Sequence, residues 1–176
     1  MYLTFARYEE SAALKVEQVH KDQGNLIVMF CKGKNYQFGE ARMAVVAGCS
    51  TSGINPVEVI SEYMARLEGV SGNRNSFLFP ALRSTSKGDS SLDKPASYTA
   101  VLSQFKSVVK SAGLTTSPAD FGLHSMRRGG VTAAVNSGAD EHFVQKQMRV
   151  ASGSTVRRYA TVNSKNLCEA SKAVLM

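Results

Sequence analysis

In the stretch Gly122-Leu-His-Ser-Met-Arg-Arg-Gly-Gly-Val-Thr-Ala-Ala, His124 and Arg127 stand three positions apart. On a helix that spacing places both side chains on one face. An imidazole moves protons near neutral pH, and a guanidinium grips phosphate oxygens in a planar fork. Standing alone, such a pair is more often a helix start with a surface ion pair. It does not stand alone: about thirty residues on, Tyr159 follows Arg157 and Arg158 in Ser-Thr-Val-Arg-Arg-Tyr-Ala. A tyrosine hydroxyl titrates near 10 when free and becomes a useful nucleophile only beside basic or cationic groups. Imidazole, guanidinium and phenol together suit the transfer of a phosphoryl group.

The elements that must position these residues can be read from periodicity and turn chemistry. Tyr2 to Leu14 reads as a helix. Leu26 to Cys31 and Arg42 to Val46 are two apolar runs separated by a polar turn around Lys32-Gly-Lys34, the pattern of a hairpin. Asn55-Pro-Val-Glu58 is a helix start, with Asn as cap, Pro at the first position and Glu reaching back, and the helix is expected to reach about Leu67. Arg83 to Lys94 is rich in Ser and Gly and reads as a surface loop. Helical spacing resumes from Tyr98 and closes at Gly113. Three short helices follow, over Ser125 to Ser137, Asp140 to Arg149 and Ser154 to about Thr161, with Gly138 parting the first two and Asp140 capping the second. The fold class is therefore α+β, mainly helical, with a small antiparallel β-sheet.

The chain's 176 residues suffice for one domain with its own core. No apolar stretch approaches bilayer length and no secretory signal opens the chain, so no membrane partner is expected. Three cysteines, Cys31, Cys49 and Cys168, have neither disulfide nor metal-ligand spacing and fit a reducing, intracellular home. The net charge of +7 favours a polyanionic partner. Its placement is more telling: Arg127, Arg128, Lys146, Arg149, Arg157 and Arg158 crowd the C-terminal third, making Arg128, Lys146, Arg149, Arg157 and Arg158 candidates for contact with nucleic acid first and an anionic membrane second.

His124-x-x-Arg127, a further helix and then Tyr159 resembles the C-terminal half of the tyrosine recombinases: phage integrases, Xer proteins and the recombinases of DIRS-type retroelements. The string His-Ser-Met-Arg-Arg-Gly-Gly-Val-Thr is most similar to the last group. The resemblance extends backwards in order. Phe5-Ala-Arg-Tyr-Glu-Glu-Ser-Ala-Ala-Leu looks like the family's first arginine box, with Arg7 as the first catalytic arginine and Glu10 as its supporting acid. Lys32-Gly-Lys34 falls where the family carries a mobile catalytic lysine, and Phe77-Leu-Phe-Pro where it carries a segment before the long middle helix.

The resemblance implies that Arg7 and Arg127 clamp the scissile phosphate of double-stranded DNA while Tyr159 attacks phosphorus to form a 3′-phosphotyrosyl enzyme. A hairpin lysine, Lys34 in preference to Lys32, protonates the departing 5′ oxygen, and His124 assists the tyrosine. No cofactor or metal is implied, and a homo-oligomer on DNA is. The compartment is the nucleus of a eukaryote or the bacterial cytoplasm. The chain is expected to be a single catalytic domain over residues 1–176, an excised piece lacking the N-terminal DNA-clamping domain.

Two positions depart from the pattern, one of them Arg128, which stands where many relatives carry His or Ser. Nine residues before the tyrosine the family usually has His or Trp, a donor to the phosphate; here it is Val150. That substitution supports an alternative, a degenerate relative that holds DNA without cutting. A basic helical domain matching by chance is a third reading, and a type IB topoisomerase is disfavoured by the His-Ser-x-Arg-x-Gly-Gly string. The tail offers Leu167, Ala170, Val174 and Leu175 as a small apolar face, for a neighbouring subunit or for nothing.

Overall fold

The computed structural model describes residues 1–31, 42–48, 53–71, 73–81, 94–113 and 117–160. Lys32 and Lys34, nearly all of the Ser/Gly-rich loop and the apolar tail lie outside them.

Among the described residues the chain forms six helices and one sheet: α1 (Tyr8–Ala12), β1 (Val19–Asp22), β2 (Asn25–Phe30), β3 (Arg42–Val46), α2 (Pro56–Ser71), α3 (Tyr98–Ser111), α4 (Leu123–Asn136), α5 (Glu141–Met148) and α6 (Gly153–Tyr159). Single 3-10 turns cover Val16–Gln18 and Pro118–Asp120. The sheet is antiparallel in the order β1-β2-β3, so the fold is mainly helical with a small antiparallel sheet.

The expected hairpin is β2 and β3, with Leu26 opposite Val46 and Phe30 opposite Arg42. Strand alternation turns Leu26, Val28, Phe30, Ala44 and Val46 inward. Strand β1 went unread in the sequence because only Val19 of its four residues is buried. It joins β2 through Gln23 and Gly24, both at positive φ (46° and 80°), the two-residue turn whose twist suits a hairpin.

Helix α1 is much shorter than the expected Tyr2 to Leu14. Phe5 has φ 49°, and Arg7 is extended (φ −75°, ψ 162°) and caps the helix instead of lying within it. Glu10 reaches back to accept the Arg7 backbone N–H at 2.7 Å, so the Arg-x-x-Glu spacing is a capping device. The segment before α1 lies against α4, and Gly130 permits it: a Cβ there would stand 2.2 Å from the Tyr2 carbonyl oxygen. Helix α2 starts as read, Asn55 Oδ1 accepting from the N–H groups of Val57 (3.0 Å) and Glu58 (3.3 Å), but continues through Gly69 to Ser71. Gly113 and Gly138 end α3 and α4 at φ 67° and 85°, as their positions suggested.

Two apolar clusters result. One joins the sheet to α2 and to Ala6, Leu14, Val16 and Leu78. The other holds Phe5, Val131, Val144, Met148, Val150 and Val156, with Tyr159 packed against it. Phe5 and Ala6 are neighbours in sequence yet belong to different clusters, so the Arg7–Glu10 segment runs along the seam between them.

Candidate active site

Each chemical side chain is delivered by a short element with an explicit start. Ser125 Oγ accepts from the Gly122 N–H at 3.1 Å and opens α4, placing His124 in its first turn and Arg127 one turn on. Asp140 caps α5 through the His142 N–H at 2.8 Å. Ser152 opens α6 by accepting from the Ser154 N–H at 3.2 Å, and α6 ends on Tyr159. Thr132 Oγ1 donates to the Tyr159 carbonyl at 3.3 Å, tying the end of α6 to α4. Thr132 closes the His-Ser-Met-Arg-Arg-Gly-Gly-Val-Thr string, which carries the resemblance without giving it a role.

Three of the expected residues converge. His124 Nε2 and the Tyr159 hydroxyl are 2.7 Å apart, a hydrogen bond whose direction follows the imidazole tautomer. The Arg127 guanidinium carbon lies 5.2 Å from the centroid of the Tyr159 ring, a cation–π distance. Arg127 is wholly buried. It donates through Nη1 to the Phe5 carbonyl and through Nη2 to the Met148 carbonyl at 3.2 Å.

Glu10, 3 % exposed, joins the two ends of the chain. Its Oε1 lies 3.5 Å from Arg7 Nη1; its Oε2 lies 3.2 Å from Arg149 Nη2 and 3.7 Å from Arg127 Nη1. Arg7 and Arg127, 120 positions apart by number (127 minus 7), therefore meet at one carboxylate. Three guanidinium groups around one carboxylate leave an excess of positive charge in a largely dry place. Burial, reinforced by repulsion from Arg7, pulls the Arg127 guanidinium down to about 10, while Glu10 opposes the shift. Arg7 keeps 27 % of its side chain exposed, so this cationic centre opens to solvent on the Arg7 side.

Arg149 is a correction. Expected among the DNA-facing cations, it is 4 % exposed, and its guanidinium is committed to Glu10, the Thr4 carbonyl (3.0 Å) and the Gln147 carbonyl (2.7 Å). The reason is local: Arg149 caps α5 in the left-handed conformation (φ 58°), which turns the side chain inward over the Phe30 ring at 4.0 Å. Val150 is buried in the second apolar cluster and faces that core. Arg128, Lys146, Arg157 and Arg158 are exposed, and Arg157 Nη1 pairs with Glu141 Oε1 at 2.5 Å.

The sequence matches the phage integrase family over residues 1–166. The chain belongs to that family. Among solved structures, this family member is similar to XerA recombinase, with a TM-score of 0.69 at 20% identity over 98% of this chain and 53% of the other. It is equally similar in fold to XerH site-specific recombinase bound to its difH substrate after cleavage, with a TM-score of 0.69 at 20% identity over 99% of this chain and 43% of the other. A third is the Tn1549 transposon integrase in complex with transposon right end DNA, with a TM-score of 0.60 at 16% identity over 99% and 56% of the two chains. The chain thus spans about half the length of these structural relatives. The search of curated proteins found no sequence match.

Among the described residues of this family member, no three His, Cys, Asp or Glu side chains gather closely enough to hold a metal ion, and no helix is long and apolar enough to cross a membrane. A groove of about 580 Å³ lined by Lys15, His20, Met29, Cys31 and Phe77 shares no residue with the Tyr159 centre.

Proposed function

We propose that this domain cuts and rejoins double-stranded DNA by transesterification at Tyr159. The observation that carries the reading is the 2.7 Å contact between His124 Nε2 and the Tyr159 hydroxyl above the Arg127 guanidinium. His124 accepts the phenolic proton as the phenolate oxygen bonds to phosphorus. The bond from phosphorus to the 5′ oxygen breaks, leaving a 3′-phosphotyrosyl enzyme and a 5′ oxygen that takes a proton from a hairpin lysine, Lys34 ahead of Lys32. Religation reverses each step with another 5′-hydroxyl, so phosphoester bonds are exchanged without net hydrolysis. Arg7 and Arg127 hold the non-bridging oxygens and stabilise the charge of the pentavalent transition state. Because the Tyr159 ring lies over Arg127, the phosphate enters as the ring swings aside. Arg128, Lys146 and Arg158 supply backbone contacts around the site, and Arg157 joins them once released from Glu141. The chain acts as one catalytic domain, and the family resemblance supports self-association on DNA.

A pool of nicked duplexes of randomised sequence tests this, because a nick near the cut site lets the freed strand diffuse away and traps the covalent complex. Adducts that survive denaturing electrophoresis are expected with the unaltered chain and none with Tyr159→Phe. Adducts persisting in Tyr159→Phe would show that another residue is the nucleophile. The buried Val150, which offers no donor to a phosphate, favours a second reading, a DNA-binding relative that does not cut. Salt-sensitive DNA binding with no adduct from any duplex would establish that one.

A further inference from the structure

We propose that Arg149 is a positioning residue that holds Glu10 away from Arg127, so that the charge of Arg127 stays available to phosphate; the inference rests on the reading of Arg7 and Arg127 as the phosphate clamp.

An arginine is an unexpected choice at this place. A left-handed helix cap ordinarily takes Gly or Asn, and a side chain with a Cβ is strained there. Burying a third cation beside Arg7 and Arg127 adds a further cost, since an apolar residue of similar volume usually serves a core at least as well. The Nε atoms of both Arg127 and Arg149 are buried without a hydrogen-bond partner, which adds to the expense. A simple core staple explains none of this.

The geometry around Glu10 gives a reason. Its Oε2 accepts from the Arg7 backbone N–H at 2.7 Å and from Arg149 Nη2 at 3.2 Å, leaving Arg127 Nη1 at 3.7 Å, beyond hydrogen-bond distance. Arg149 is itself held on several sides: it donates to Thr4 and Gln147, covers the Phe30 ring, and its own carbonyl accepts from Arg42 Nη1 at 3.0 Å. Strand, N-terminal segment and helix end thus fix one guanidinium that occupies Oε2. Without it the carboxylate closes on Arg127 and cancels charge that the transition state needs.

The test uses Arg149→Met, which keeps bulk without charge, and Arg149→Lys, which keeps one donor for Glu10. Single-turnover cleavage is measured on a trapped duplex bearing either a phosphodiester or a neutral methylphosphonate at the scissile position. Arg149→Met is expected to slow the phosphodiester about a hundredfold, the scale of a misplaced catalytic group, and the methylphosphonate far less, with Arg149→Lys recovering part of the loss. A variant that merely unfolds slows both substrates alike, and equal losses, or none, would overturn the proposal. A DNA-independent measurement separates it from the reading beneath it: in carbon-13 NMR of labelled arginine, the titration of Arg127 rises in Arg149→Met. It rises by less when Glu10→Gln is also present and only the lost Arg149 charge acts, and Arg149→Lys gives part of the full rise. Arg127 titrating unchanged in both Arg149 variants overturns the proposal even if the enzyme cuts DNA. If the unaltered chain forms no adduct, the recombinase reading fails while the titration still decides whether Arg149 governs the Glu10–Arg127 contact.

Discussion

The Tyr159 ring covers the Arg127 guanidinium at 5.2 Å, and the same phenol is bonded to His124. The proposed nucleophile, proton acceptor and phosphate clamp are therefore packed against one another. The cation gains a π-face in a place where water cannot solvate it, and the ring is held by its face as well as by its hydroxyl.

That arrangement separates two substitutions at one position. Tyr159→Phe removes one partly exposed hydrogen bond and should cost no more than about 1 kcal/mol, because the ring still covers Arg127. Tyr159→Ala uncovers a buried cation as well and should lose about 2 kcal/mol more, the upper range for desolvated cation–π contacts. Urea denaturation of both variants measures the difference. Equal stabilities would show that the ring contributes nothing over Arg127.

Adjacent glycines in α4 should respond oppositely to the same change. A Cβ at Gly130 meets the Tyr2 carbonyl at 2.2 Å and the Phe5 ring at 3.0 Å, whereas one at Gly129 meets only the Tyr2 ring, at 3.4 Å. Gly130→Ala should destabilise by about 1–3 kcal/mol through overpacking and displace the segment that carries Arg7. Gly129→Ala should be neutral or stabilising by up to about 1 kcal/mol, since alanine is the better helix former. Thermal melts of the pair check this.

Much of the site was legible because its elements are local. The caps at Asn55 and Asp140, the break at Gly138 and the His124–Arg127 face follow from a few neighbouring residues, and the Arg7–Glu10 pair follows from the resemblance. What escaped depended on contacts made across the chain. Tyr2 to Leu14 has helical composition, yet the segment lies over Gly130 and bends at Phe5, so only Tyr8–Ala12 is helical. Arg149 sits in a basic stretch, and only its left-handed backbone turns it to the interior. Strand β1 has one buried residue, too few to leave an alternating signature.

Gln147 joins helix to sheet by imitating a strand. Its side-chain amide donates to the Val45 carbonyl at 2.7 Å and to the Leu3 carbonyl at 3.2 Å, and accepts from the Val45 N–H at 3.1 Å. Gln147→Ala should cost about 1–2 kcal/mol, modest because water reaches this edge. Gln147→Glu should cost more at pH 7, where a carboxylate faces two carbonyl oxygens. Its folded pKa is then raised, so the added penalty disappears as pH falls and the carboxyl regains a proton to donate. Denaturation at pH 7 and pH 4.5 tests the sign.

Arg127 sets the alkaline limit of the proposed reaction. Burial and repulsion from Arg7 bring it down to about 10, so the clamp loses charge as pH rises through that value, and cleavage should fall with it. Stability moves the other way. Between about 10 and the ordinary arginine value the unfolded chain keeps a proton that the folded one has released, so the cost of burying this charge is relieved as pH rises. Glu10 is the group that holds the proton on Arg127. Glu10→Gln should therefore move the alkaline limb of single-turnover cleavage to lower pH, while destabilising the fold by about 3–5 kcal/mol because three buried or half-buried cations lose their shared anion. A limb that stays in place, with the fold intact by circular dichroism, would mean that Arg127 does not govern it.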